Sequence, residues 1–155
     1  NKEEFLSLIP ESIEIIEKYG KKIINNNFKS EDLVIKTCIS RDISEYKVNT
    51  FSKSALLQLK KIGIEPVPGQ SVRYVVCNEK SNNPWKRVCI FEKLENNDKI
   101  DIDFYLRQIA QYAESILIPF GFTLERFYDM LQKIKNRENC NVSVLPRVRT
   151  YQTSL

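Results

Sequence analysis

The chain has 155 residues, 42% of them hydrophobic and 28% charged, with a formal net charge of +4. This is apolar material for one domain or two lobes, and a mild positive balance that permits a polyanionic partner without demanding one. Histidine is absent and no Gly-x-Ser-x-Gly elbow occurs, which excludes the histidine-dependent hydrolytic triads.

In chain order, residues 3–24 read as helix. Pro10 suits a first turn, so the firmer helix is 11–24, with Ile13, Ile16, Tyr19, Ile23 and Ile24 as a stripe opposite Glu14, Glu17 and Lys18. The polar run "NNNFKSED" (25–32) breaks it. A strand is expected over 32–39, then a basic polar loop, 40–52. Ser52 or Ser54 is the expected cap of a short helix ending at Ile62, with Gly63 as its stop. "EPVPGQ" (65–70) is a turn, "SVRYVVCN" (71–78) a strong strand, "EKSNNPW" (79–85) a loop, and 86–91 a further strand. Asp101 or Asp103 is expected to cap a helix to about Ile118, with Tyr105, Ile109, Tyr112, Ala113 and Ile116 on one side. Pro119-Phe120-Gly121 interrupts, Thr123 caps a last helix to about Arg137, and the chain after Cys140 is expected to be extended.

No apolar run reaches membrane-spanning length, and the N-terminus lacks a basic-then-apolar signal layout. No membrane partner is therefore expected. The missing initial Met and the abrupt end at Leu155 are read as marks of a piece of a longer chain.

The cysteines Cys38, Cys77, Cys89 and Cys140 form no Cys-x-x-Cys pair, and dispersed buried thiols in a reducing compartment are the better reading than zinc. Asp101 and Asp103 at a helix start are better read as caps than as metal ligands. Asn141-Val142-Ser143 matches a glycosylation sequon by chance. No Gly-rich phosphate loop and no complete active site are present. Between Lys36 and Lys61 the cations are Lys36, Arg41, Lys47, Lys53, Lys60 and Lys61, against Asp42 and Glu45. Ser40, Ser44, Tyr46, Thr50, Ser52 and Ser54 lie among them. Short hydroxyls that position and long cations that neutralise suit a phosphate backbone. On charge alone, a solvated face accounts for the same residues better.

The stretch "DLVIKTCISRDISEYK" (32–47) resembles the palm-to-thumb junction of B-family DNA polymerases: Asp/Glu-Leu-Val-Ile, a cation, then Ile-(Ser/Thr)-Arg-x-x-x-x-Tyr-Lys. "ALLQLKKIGIEPVPGQSVRYVV" (55–76) is similar to the family's next helix, its Gly and Pro-Gly turns, and a strand ending Tyr-Val-Val. "DIDFYLRQIAQYAESILIPFGF" (101–122) resembles a thumb helix of type Asp-x-x-Tyr-Tyr-x-x-x-Gln, ending in Phe-Gly before the last helix. In order, these cover about 32–131.

The resemblance implies a mainly helical α+β chain: the end of a palm helix and its linker (1–31), a helical thumb with a few short strands (32–138), and a tail (139–155). It implies that the chain grips a primer–template duplex through Arg41, Tyr46, Lys47, Lys60, Lys61 and Gln108. Phe51-Ser52-Lys53 replaces a family Pro-His-Val, so Lys53 stands where a contact is in doubt. "NPWKRV" replaces a Gly-Asp-Arg-Ala turn, and Lys86 and Arg87 are the stand-ins for its arginine. Trp85 beside them is read as a packing residue rather than a sugar contact. No catalytic or metal residue is assigned. The Asp-Thr-Asp, Ser-Leu-Tyr-Pro, exonuclease and Lys-Lys-Arg-Tyr motifs are absent, so this chain alone cannot transfer a nucleotidyl group, and magnesium belongs to the missing part. The tail "RTYQTSL" ends in Gln-x-x-aliphatic, half of a sliding-clamp motif, with Gln152 and Leu155 as the contacts. The implied partners are duplex DNA, the rest of the polymerase and a sliding clamp, in an intracellular setting. Two other readings stand beside this one: a free-standing nucleic-acid-binding protein, and an interaction subunit of a replication complex.

Overall fold

Three short antiparallel strands and five α-helices account for most of the chain in a computed structural model, which describes residues 2–96, 98–121 and 123–142. The expectation of a mainly helical α+β chain is met. The chain divides into two compact units, one spanning 27–108 and the other formed by residues up to 26 with those from 109 onward.

The 27–108 unit is built on strands β1 (Ile35–Cys38), β2 (Ser71–Val76) and β3 (Val88–Ile90), in the order β1-β2-β3. The register pairs Ile35 with Tyr74 and Tyr74 with Ile90. The first strand is shorter than expected. Residues 30–33 form a 3-10 turn instead, in which Asp32 accepts the Lys29 N–H at 3.1 Å. Local capping here outcompetes extension. In β2, exposed and buried residues alternate over 71–73, and Tyr74, Val75 and Val76 are then all buried. The expected extension of β2 to Asn78 fails because the Cys77 and Asn78 amides both turn to the Arg87 carbonyl.

Helix α2 (Phe51–Lys61) starts two to four residues earlier than the serines suggested. Thr50 is the cap, its hydroxyl accepting the Lys53 N–H at 3.1 Å. Ser54 lies buried inside the first turns, donating to Asn49 Oδ1 at 2.9 Å. The C-terminus closes as anticipated at Gly63. Its φ of +84° lets the Gly63 and Ile64 amides reach back to the Lys60 and Leu59 carbonyls. Residues 86–87, expected in a strand, belong to the short helix α3 (Pro84–Arg87), because Asn83 caps it and Pro84 occupies its first position.

Ala55, Leu56 and Leu59 from α2, Val72, Val75, Val76, Val88 and Ile90 from the sheet, and Leu106 from helix α4 (Ile102–Leu117) are buried. The polar Gln58 side chain is buried with them. Gln58 donates to the Pro84 and Val88 carbonyls, each at 2.7 Å, and accepts the Ile90 N–H at 3.3 Å. A second tie is Tyr105, whose hydroxyl donates to the Leu33 carbonyl and accepts the Val76 N–H, both at 2.9 Å. Burial pushes this phenol well above its ordinary range, against the lowering effect of the Val76 N–H.

Asp101 caps α4 as expected, with Oδ1 accepting the Phe104 N–H at 3.0 Å. The buried stripe matches the expected one only in part: Tyr105 and Ala113 are buried as expected. It runs Leu106, Ala110, Ala113, Leu117, while Tyr112 and Ile116 are 71% and 66% exposed. The stripe keeps helical spacing and places two alanines between two leucines, and the larger Tyr112 and Ile116 point outward.

In the unit made by the chain ends, helix α1 (Lys2–Ile24) runs unbroken through Pro10, where one backbone donor is lost. It packs on α5 (Leu124–Val142). Gly20 makes the close approach possible: a Cβ there would sit 2.5 Å from Cδ2 of the fully buried Leu131. Of the expected stripe, Ile23 is buried, whereas Tyr19 is 55% exposed. The break at 118–121 is a 3-10 turn closed by Gly121 with φ +79°. Helix α5 continues to Val142, past the expected end at Arg137, so residues 141–142 are helical rather than extended. Gln152, Leu155 and the tail motif lie outside the described residues. Among the described residues no helix is long and apolar enough to cross a membrane.

Candidate nucleic-acid interface

The polar loop is held at its root. Ile39, fully buried, donates its N–H to the Gln70 carbonyl at 2.8 Å and accepts from Gly69 at 2.9 Å. The chain therefore leaves the sheet at a fixed point, and Ser40 and Arg41 emerge into solvent. The Arg41 guanidinium lies 5.7 Å from the centre of the Tyr46 ring, so these two candidates form one cationic–aromatic pair. Lys47 follows, exposed. Lys53 is tied inward, with Nζ donating to the Tyr46 carbonyl at 2.7 Å. It joins the loop to α2.

Lys60 and Lys61 are neighbours in sequence but line different hollows. Leu56 and Lys60, one helical turn apart, border a hollow of about 190 Å³ with Arg41, Asp42, Ile43 and Glu65. Its charges balance: Arg41 and Lys60 against Asp42 and Glu65. Gln58 and Lys61 border another cleft, of about 750 Å³, with Lys86, Lys93, Lys99, Trp85, Asn78 and Asp98. Four lysines there meet one aspartate. Lys61 Nζ lies 5.3 Å from the centre of the Trp85 ring, which is 48% exposed. Trp85, read from sequence as packing, is thus a half-open platform beneath a cation.

Arg87 is folded inward, unlike Lys86. Its guanidinium stands 4.7 Å from the Phe51 ring and donates to the Ser81 carbonyl at 3.1 Å, and its buried Nε has no hydrogen-bond partner among the described residues. Gln108 is half-buried on α4. The structure thus brings Arg41, Tyr46 and Lys60 together, places Lys61 with Lys86, and leaves Lys53 and Arg87 bracing the fold.

Sequence reasoning missed Lys93 and Lys99. Each sits among acids in "FEKLENNDK", so local charge cancels and only the fold sets the ammonium groups apart. It also missed Gln58, because an amide on a helix signals nothing until its partners are known. Cys38, Cys77 and Cys89 are not buried as expected: Cys38, on the edge strand β1, is exposed, and Cys77 and Cys89 are half-buried. On the cleft wall, burial first and then Asp98 push the Cys77 thiol up to about 11 and the Cys89 thiol to about 12. Cys89 Sγ lies 3.6 Å from Asp98 Oδ2, which also accepts the Glu95 N–H at 2.7 Å. Asp101 is likewise committed, its Oδ2 accepting the Glu79 N–H at 2.9 Å. No group of three or more His, Cys, Asp or Glu among the described residues is arranged to hold a metal ion.

The arrangement can bind polyanions. The sequence is 28% identical over 118 residues to a DNA polymerase of Pyrococcus horikoshii, covering 76% of this chain and 10% of that protein. It is 27% identical over 119 residues to a DNA polymerase of Thermococcus gorgonarius, covering 76% of this chain and 15% of the relative. It is also 27% identical over 110 residues to DNA polymerase 1 of Saccharolobus solfataricus, covering 70% of this chain and 12% of that protein. The chain thus spans only a small part of these relatives. The family B DNA polymerase of the hyperthermophilic archaeon Pyrobaculum calidifontis has a similar fold, with a TM-score of 0.56 at 22% identity over 66% of this chain and 13% of that one. The family model for DNA polymerase family B matches residues 1–120, most of the present sequence. With that extent of match, the chain belongs to DNA polymerase family B.

Proposed function

We propose that this segment is the thumb of a family B DNA polymerase, with the end of a palm helix ahead of it, and that it grips the primer–template duplex without reacting with it. Family membership over residues 1–120 is the observation that carries the reading. The exposed Arg41, stacked beside Tyr46, and the exposed Lys47 and Lys60 are the groups that meet phosphate. Lys61 and Lys86 extend the basic surface into the neighbouring cleft. Gln108 supplies a polar contact from α4. Lys53 and Arg87 hold the loop and α3 in place, and their charge adds to the field around the duplex. Holding the backbone lengthens residence on DNA without reading sequence.

Nucleotide binding, magnesium and catalysis belong to the remainder of the polymerase, the main protein partner in this reading. A sliding clamp is the second partner, taken through Gln152 and Leu155. The setting is the interior of the cell, where replication takes place.

Duplex binding by the 155-residue chain, followed by fluorescence anisotropy across a salt series, tests the grip. The expected result is weak, salt-sensitive binding that is indifferent to sequence. Arg41→Ala or Lys47→Ala should each lower the slope of log affinity against log salt by about one unit. Sequence-specific binding, or a slope unmoved by both substitutions, would overturn the reading.

A further inference from the structure

We propose that the lysine cleft beside Trp85 binds a single strand of nucleic acid, with one base stacked on the indole and neighbouring phosphates on Lys61, Lys86, Lys93 and Lys99. The inference rests on the cleft's own chemistry and not on the duplex grip. The hollow at Arg41 is charge-balanced, but this cleft sets four exposed lysines against Asp98 alone. Asp98 is turned to the Glu95 amide and Cys89.

The lysines come from four separate segments: the end of α2, α3, the turn at Phe91–Lys93, and the stretch before α4. That layout spreads charge around an open cleft. A free nucleotide's phosphates are better served by converging backbone amides, and no glycine-rich loop offers them here. The aromatic platform decides between strand and duplex. Trp85 is 48% exposed, and Lys61 lies over its ring at 5.3 Å. A stacking platform serves bases whose faces are open, and a duplex hides those faces in its own stack. A charged groove with an aromatic floor is the chemistry by which single strands are held without sequence preference.

Trp85 is the chain's sole tryptophan, so its fluorescence reports on this cleft alone. The intact 155-residue chain is titrated with oligothymidylate, base-free polyphosphate, thymidine triphosphate and blunt duplex. The expected result is quenching by oligothymidylate at concentrations where polyphosphate and thymidine triphosphate leave the emission unchanged and blunt duplex, which meets Lys61 and Lys86 but cannot stack on the indole, quenches far less. With a labelled oligothymidylate, Trp85→Leu should weaken binding about fivefold or more, and Trp85→Phe, which keeps a ring, should retain most of the affinity. Lys93→Ala with Lys99→Ala should lower the single-strand salt slope by about 0.7 for each lysine removed. This pair also serves as the test should Trp85→Leu fail to fold. Equal binding of polyphosphate would leave only nonspecific electrostatics and overturn the proposal. So would quenching by thymidine triphosphate as strong as by the oligomer, or affinity unchanged in both the Trp85→Leu and paired-lysine chains. The two readings separate cleanly. Arg41→Ala with Lys47→Ala should weaken duplex binding and spare oligothymidylate, and Lys93→Ala with Lys99→Ala should do the reverse.

Discussion

Replacing Gln58 by leucine should unfasten the 27–108 unit at its centre. The side chain is buried and bonded to three main-chain groups, the Pro84 and Val88 carbonyls and the Ile90 amide. Leucine is close in volume and apolar, so packing changes little. Three backbone groups lose their partner instead. Val88 and Ile90 are 1% and 0% exposed, so water cannot replace what the amide supplied there. Each stranded buried group costs about 1–3 kcal/mol. Pro84 is half-buried and recovers part of its loss from solvent. Burying leucine in place of glutamine offsets about 1–2 kcal/mol. The net expectation is a loss of about 2–4 kcal/mol. For a chain of this length that lowers Tm by roughly 5–15 °C. Urea and thermal unfolding followed by circular dichroism measure the loss. Trp85 fluorescence gives a local readout, because Trp85 directly follows the anchored Pro84. A loss under about 1 kcal/mol with unchanged tryptophan emission would refute the claim that this amide holds α3 and β3 to α2.

Tyr105→Phe removes one donor and one acceptor, stranding the Leu33 carbonyl and the Val76 N–H, and should cost about 1–3 kcal/mol in urea unfolding. Gly20→Val should destabilise the helical pair by about 1–3 kcal/mol, since its Cβ meets the fully buried Leu131 side chain; the substitution reads out as a lower urea midpoint. The thiols Cys77 and Cys89 hold their protons more tightly in the folded chain, at about 11 and about 12 against an ordinary 9.0. Their effect on stability is therefore nil below pH 9 and turns unfavourable as pH climbs from about 9 toward 12, where only the unfolded chain ionises. At pH 8 iodoacetamide should label exposed Cys38 well before either, as resolved by peptide mass spectrometry.

Much of the scaffold was legible because its signals are local. Gly63 ends α2 by supplying a positive φ, Asp101 caps α4 with its own carboxylate, and the apolar run Tyr74-Val75-Val76 marks the part of β2 that is buried throughout. Boundaries slipped where a neighbour competed. Thr50 took the cap expected of Ser52 or Ser54, and Asn83 with Pro84 drew residues 86–87 into a helical turn. On α4 the expected Tyr105 and Ala113 are buried, but Tyr112 and Ile116, large and apolar, face outward, and the small Ala110 takes a buried place that its size did not signal. Of the candidate interface, the loop from Arg41 to Lys47 was visible as a contiguous motif. The lysine cleft was not, because Lys61, Lys86, Lys93 and Lys99 are spread over some forty positions and meet only once the sheet has formed.

The pairing of α1 with α5 has a consequence for the order in which the chain folds. Gly20 must wait for Leu131, more than a hundred residues later, before its close contact can exist. Synthesis adds about 5–20 residues each second, so α1 stands without that partner for roughly 5–20 s. The 27–108 unit has its strands and α2 within one continuous stretch and can close during that interval. Folding from the middle outward would bring the two ends into range, and the long-range helix pairing would then be a late, short search instead of an early, costly loop closure.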